Sequence, residues 1–212
     1  MINLKTIAAA AAFTLAAIAP AAALDNSSVL GALFQQPDFR TERAAPAETR
    51  ELVAAPQGYG PGTILVDTPN RHLYLVGDNG QAMRYAIGVA RAGFEWGGDM
   101  RVGRKAEWPA WTPPAEMLKR RPDLPKFMKG GEDNPLGARA LYLYTAAGKD
   151  SIFRIHGTNE EATIGEAVSS GCIRMMNDDV VDLYSRVRVG TRVVVLRDNA
   201  NANWAIAKRS KF

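Results

Sequence analysis

The chain has 212 residues, enough for one sizeable domain and too few for two comfortable ones. Its 47% apolar and 23% charged content is ordinary for a globular protein. The formal charge of +4 is not gathered into any basic run, which argues against nucleic acid as a partner and suits a polyanionic extracellular polymer equally well.

Residues 1–23 read as a secretory signal. Lys5 supplies the positive start, Thr6 to Ile18 is an alanine-rich apolar run, Pro20 breaks it, and Ala21-Ala22-Ala23 forms an A-x-A cleavage site. The run is short for a span of roughly 20 residues, so cleavage and export to the periplasm are expected. No other stretch is apolar enough to cross a bilayer. Residues 24–58 read as a flexible linker, with Pro37, Pro46 and Pro56 recurring among alanines and mixed charges. Within it, Leu30, Leu33 and Phe34 have the spacing of one helical turn.

The pattern changes to strands over residues 59–198, the expected folded domain. Ile64-Leu65-Val66 and Leu73-Tyr74-Leu75-Val76 are β-rich runs separated by Thr68-Pro69-Asn70. Asp78-Asn79-Gly80 predicts a type I′ hairpin, because Asn-Gly accepts positive φ. With a return strand from Met83 to Val89, this makes a three-stranded antiparallel meander, on which His72 is a strand-surface histidine. Residues 91–137 are rich in Gly, Pro and Trp and read as a long irregular functional segment. Its tryptophans either pack as core or line a cleft. Strands follow at Leu141–Tyr144 and Ile152–Ile155, with His156 at the exit of the second. Asn177 is expected to cap a helix whose Val180, Leu183, Tyr184 and Val187 share one face. Gly190-Thr191 then turns into a last strand, Val193–Leu196. Residues 199–212 are a polar, basic tail. The expected fold class is mainly β with short helices.

The chemistry is concentrated between Ile155 and Met176. This stretch holds Cys172, the only cysteine, and His156, one of two histidines. An exported protein normally pairs its cysteines, so a single thiol flanked by Ser-Ser-Gly and Ile-Arg suits a nucleophile better than a core residue. An imidazole nearby can take the thiol proton, which predicts an apparent thiol pKa below the free value of about 8.5. Gly157 leaves its carbonyl free to hold the other ring nitrogen of His156. Gly171 permits a tight turn, and the amides of Gly171 and Cys172 are expected to face a developing oxyanion. Ser169 and Ser170 add small hydroxyls, and Arg174 offers a forked cation to anchor a substrate carboxylate or to brace the loop.

The block His156-Gly157-Thr158, with twelve residues separating His156 from Ser169 and then Ser-Ser-Gly-Cys-Ile-Arg-Met, resembles the signature of the L,D-transpeptidase (YkuD-type) catalytic domain. The aromatic-proline block Trp108–Pro114 and the turn Asn134–Gly137 resemble that family too. One departure is Ser170, where many members carry a second histidine; it leaves His156 as the only base near the sulfur. The resemblance implies an antiparallel, β-sandwich-like fold. It also implies L,D-transpeptidation of peptidoglycan stem peptides through a cysteine acyl-enzyme, releasing D-alanine. The acyl acceptor is then another stem peptide or an outer-membrane protein. An L,D-carboxypeptidase or amide hydrolase on the same scaffold and a catalytically silent wall-binding module remain alternatives. A redox sensor would want a resolving cysteine.

No metal is expected, since two separated histidines and one cysteine do not make a zinc site. No Gly-x-Gly-x-x-Gly or Walker-type loop calls for a nucleotide, so no cofactor is expected. A serine mechanism is disfavoured because there is no Gly-x-Ser-x-Gly and no Ser-x-x-Lys.

Overall fold

The computed structural model describes residues 48–197. The expected signal segment, the helical turn at Leu30–Phe34, most of the linker and the basic tail lie outside the described residues. The strands are β1 (Arg50–Ala54), β2 (Ile64–Asp67), β3 (His72–Val76), β4 (Gln81–Ala86), β5 (Val89–Ala90), β6 (Gly98–Glu107), β7 (Arg139–Thr145), β8 (Asp150–His156), β9 (Ala167–Ser169), β10 (Ile173–Arg174) and β11 (Arg192–Leu196). Two short helices, α1 (Ala115–Arg120) and α2 (Asn177–Arg186), and one 3₁₀ turn at Glu161–Thr163 complete the set among the described residues.

Nine strands form one sheet in the order β1-β4-β3-β2-β11-β6-β7-β8-β10, and β5 pairs with β9 in a small second sheet. Most pairings are antiparallel, including the expected β2-β3-β4 meander. Three are parallel: β2 with β11, β8 with β10, and β5 with β9. Ile64 and Val66 of β2 face the main core, while Leu65 faces a second cluster with Tyr74, Ala82 and Leu196. Burial on both faces explains why β2 reads as an unbroken apolar run rather than an alternation. Asn79 and Gly80 have φ of 61° and 71°, the two left-handed residues a type I′ turn needs.

The far ends of the sheet are brought together. Gly88, just past β4, exchanges two backbone hydrogen bonds of 2.9 Å with Arg174 of β10. Tyr85 of β4 donates its hydroxyl to Asp182 of α2 at 2.6 Å. The sheet therefore wraps around one core in which Tyr85, Leu141, Ile155, Ile173, Val180 and Leu183 meet, the sandwich-like arrangement expected.

Four local expectations are corrected. Arg50–Ala54, placed in the linker, is an edge strand paired with β4 from Arg50↔Tyr85 to Ala54↔Gln81. Val53, Ala55 and Tyr59 pack over the second cluster, which would otherwise face water. The segment 91–137 is not irregular throughout, because β6 runs for ten residues within it, and α1 follows. The return strand stops at Ala86, and Val89 crosses to the smaller sheet. Asn177 is the first residue of α2 rather than its cap. The cap position is Met176, and the Asn177 side chain is used elsewhere.

Candidate active site

Strands β8 and β10 lie side by side and parallel, with Ile155 opposite Ile173 and His156 opposite Arg174. Ile155 and Ile173 are both in the core. Side chains alternate along a strand, so His156 and Arg174, and two residues earlier Arg154 and Cys172, occupy the other face. The two halves of the motif, sixteen residues apart in sequence, thus meet through one parallel register.

His156 is 4% exposed. Its Nδ1 lies 2.5 Å from the Gly157 carbonyl. A carbonyl can only accept, so Nδ1 carries the proton and Nε2 presents its lone pair. Gly157 is held in turn by its own N–H donating to the Arg139 carbonyl at 3.0 Å. A Cβ at position 157 would run into Asn177 Oδ1 and press on Val180. Asn177 itself bridges two strand ends: its Oδ1 accepts from the Ala138 N–H at 2.9 Å and its Nδ2 donates to the Thr158 carbonyl at 3.0 Å.

Cys172 is half-buried. Burial pushes its thiol up, against a backbone hydrogen bond from Arg154 and the positive charges of Arg154 and Arg174, which pull it down. Burial likewise pushes His156 down to about 4; the Gly157 hydrogen bond opposes this, and the Arg174 and Arg154 charges add to it. Burial therefore runs against the depressed thiol pKa that the motif suggests. It favours the neutral form of each group.

The loop around the thiol is pinned from several sides. Ser169, 4% exposed, donates its hydroxyl to the Cys172 carbonyl at 2.6 Å and accepts the Gly171 N–H at 3.1 Å. Trp96 donates its indole N–H to the Gly171 carbonyl at 2.6 Å. Its ring stacks on Phe153, with centroids 4.1 Å apart and planes 3° from parallel. Gly171 has φ of 121°, and a Cβ there would enter the Phe153 ring. Arg174 donates to Glu160 at 2.6 Å and to Thr163 Oγ1 at 3.2 Å.

All seven sequence-derived site residues, Cys172, His156, Gly157, Arg174, Gly171, Ser170 and Ser169, converge here. Two of them are engaged differently from what the motif suggested. Ser169 and Gly171, expected to meet substrate, are engaged with the loop itself, and the Gly171 amide is already bound. Arg174 is committed to Glu160, which matches the bracing alternative. Ser170 is half-buried. His72 stays on β3, opposite Asp67 and Ala86, away from this face. Sequence reasoning missed Trp96, Phe153, Glu160 and the bridging role of Asn177. None of these carries a local signal, because each acts across the fold. Among the tryptophans of the 91–137 stretch, none is fully buried; Trp108 is exposed and Trp111 half-buried. A hollow of about 400 Å³ adjoins the back of the loop between Trp96, Val89, Ala90, Ala167 and Ile173.

The model of the YkuD L,D-transpeptidase catalytic domain matches residues 61–195. The chain belongs to the L,D-transpeptidase family. Among its relatives, ErfK/SrfK of Escherichia coli K12, named as an L,D-transpeptidase, is 38% identical over 140 residues, 63% of this chain and 43% of that protein. A Fuscovulum blasticum protein from the ATP synthase subunits region, also named as an L,D-transpeptidase, is 33% identical over 83% of this chain and 95% of its own length. The chain spans less than half the length of the ErfK/SrfK relatives. The solved Ldtfm-avibactam carbamoyl enzyme is 18% identical, with a TM-score of 0.50 over 66% of this chain and 50% of that one. That likeness concerns the L,D-transpeptidase fold alone.

Proposed function

We propose that the chain is an exported L,D-transpeptidase that acts on peptidoglycan stem peptides through an acyl-enzyme on Cys172. The observation that carries this reading is that His156 ends β8 while Cys172 immediately precedes its parallel neighbour β10, with the imidazole tautomer set by the Gly157 carbonyl. Cys172 Sγ attacks the carbonyl between the third and fourth residues of a stem tetrapeptide as His156 Nε2 takes the thiol proton. The oxyanion falls to the Cys172 amide, since the Gly171 amide is bound to Ser169. Collapse breaks the C–N bond, and His156 returns the proton to the departing D-alanine amine. An incoming amine, deprotonated by His156, then attacks the thioester, and the thiol is regenerated. None of these steps requires a cofactor.

The acceptor is a second stem peptide or an outer-membrane protein. Residues 1–23 serve as the export signal and 24–49 as the reach from it. Incubating the mature chain with a tetrapeptide-bearing muropeptide and weighing the products tests the reading. Crosslinked dimers support transpeptidation. Shortened monomers alone would replace it with an L,D-carboxypeptidase, and no change would replace it with a wall-binding module.

A further inference from the structure

The thiol stands at the end of a row that crosses four strands. Arg104 of β6 is opposite Tyr142 of β7, and Tyr142 is opposite Arg154 of β8. The β8–β10 register carries the same row to Cys172, one residue ahead of the Ile155↔Ile173 pair. The Arg104 guanidinium carbon sits 3.4 Å from the Tyr142 ring centroid and that of Arg154 sits 4.3 Å from it. Tyr142 is buried, 7% exposed, beneath these two cations.

Both flanking strands are irregular at this row. The β6–β7 register shifts between Val102 and Arg104, where Gly103 is the extra residue. A Cβ at Gly103 would enter the Tyr144 ring. The β7–β8 register shifts between Tyr142 and Tyr144, and there β8 carries Ile152 at φ of 63°. A left-handed β-branched residue is strained, and Ile152, 67% exposed, gains no core packing in return. Ile152 N–H is held by Asp150 Oδ1 at 2.8 Å. Bulges re-aim the side chains that follow them, and here they put Arg104 and Arg154 on the Tyr142 face.

The charges along the row are not equal. Arg154 is engaged by Asp150 at 2.7 and 3.0 Å, and Arg174 by Glu160 at 2.6 Å. Arg104 is exposed, and among the described residues it makes no hydrogen bond or ion pair, although its field reaches Asp150. It is a guanidinium pre-oriented on an aromatic face with its fork unused. Such a group loses little further freedom when it meets a carboxylate.

We propose that Arg104, held on Tyr142, is the subsite for a carboxylate of the acyl-donor peptide; this rests on the reading of Cys172 as the acylated residue. Tyr142 is two strand spacings from the Cys172 position, about 10 Å. An extended peptide covers about 3.3–3.6 Å per residue, so the carboxylate recognised lies two to three residues' length from the scissile carbonyl. Asp150 keeps Arg154 from competing for it, leaving one open cation in the row.

The test is direct binding, which does not depend on turnover. Calorimetry on Cys172→Ala protein, with and without Arg104→Gln, uses two tetrapeptides that differ only in whether that carboxylate is free or amidated. The free-acid peptide should bind about tenfold more weakly once Arg104 is replaced, as for a solvent-exposed charge-assisted pair. The amidated peptide should bind both proteins alike, and Arg104→Lys should recover part of the loss. Equal weakening of both peptides, or no preference of the parent protein for the acid, would overturn the subsite. Failure of the Cys172 protein to turn over either peptide would instead overturn the transpeptidase reading, with the binding comparison still decisive for Arg104.

Discussion

Replacing Trp96 by Phe probes how the nucleophile loop is held. The substitution keeps an aromatic ring on Phe153 but removes the 2.6 Å hydrogen bond from the indole to the Gly171 carbonyl. A neutral hydrogen bond contributes about 0.5–1.5 kcal/mol net, and leaving its partner unsatisfied in a partly buried place costs about 1–3 kcal/mol. A loss of about 1–2 kcal/mol is therefore expected, which lowers Tm by roughly 3–6 °C for a domain of this size. Because the lost bond anchors the residue next to Cys172, a comparable penalty of about 1.4 kcal/mol should appear in the barrier to acylation, a tenfold slowing. Differential scanning calorimetry gives the first quantity, and intact-protein mass spectrometry against time with a carbapenem gives the second. Trp96→Ala, which also loses the stack, should cost roughly a further 1 kcal/mol. A Trp96→Phe protein that melts lower yet acylates at the parent rate would show that the indole packs without positioning the loop.

Three further outcomes follow from the burial of the pair and from the bridge beside it. In the unfolded chain His156 binds its proton near 6.5, in the native one only near 4, so native stability is full above pH 6.5 and declines as pH falls toward 4. The decline should reach about 3 kcal/mol, and His156→Gln should flatten that part of a denaturation-against-pH curve; an unchanged slope contradicts the burial argument. Iodoacetamide alkylation of Cys172 against pH should give an apparent pKa above the free-thiol value of about 8.5, and a value well below it would mean that the resting pair is ionised. Asn177→Ala should lower stability by about 2–3 kcal/mol by orphaning the Ala138 N–H and the Thr158 carbonyl, a loss that urea titration resolves and that a change under 0.5 kcal/mol would refute.

The site was legible where its parts are contiguous. His156, Gly157, Gly171, Cys172 and Arg174 fall within nineteen residues, and their types suggest the proposed chemistry before any fold is known. The meander was legible for a similar reason: β2 is a plain apolar run, and Asn79-Gly80 specifies its own turn. What stayed hidden depends on partners distant in sequence. β6 carries Asp99, Arg101, Arg104 and Lys105, with Gly103 breaking its alternation, so it reads as loop until β7 and β11 are beside it. β1 is short and charged, and only its pairing with β4 makes it a strand. Trp96 looked like one aromatic among several, because its hydrogen bond crosses 75 residues to reach Gly171. The burial that opposes ionisation of the thiol, against the pull of the nearby arginines, is not written in the local motif. Asn177 had the identity of a cap, and the fold spends its amide on the Gly157 turn instead.

The central claim is that Cys172 becomes acylated. Intact-protein mass spectrometry after exposure to a carbapenem tests it without any assumption about the acceptor, since only the nucleophile, its base and the oxyanion donor are needed. One adduct per chain, mapped by digestion to the peptide containing Cys172 and absent from folded Cys172→Ala, is the predicted result. An adduct on Ser169 or Ser170, or none on folded protein after hours, would contradict it.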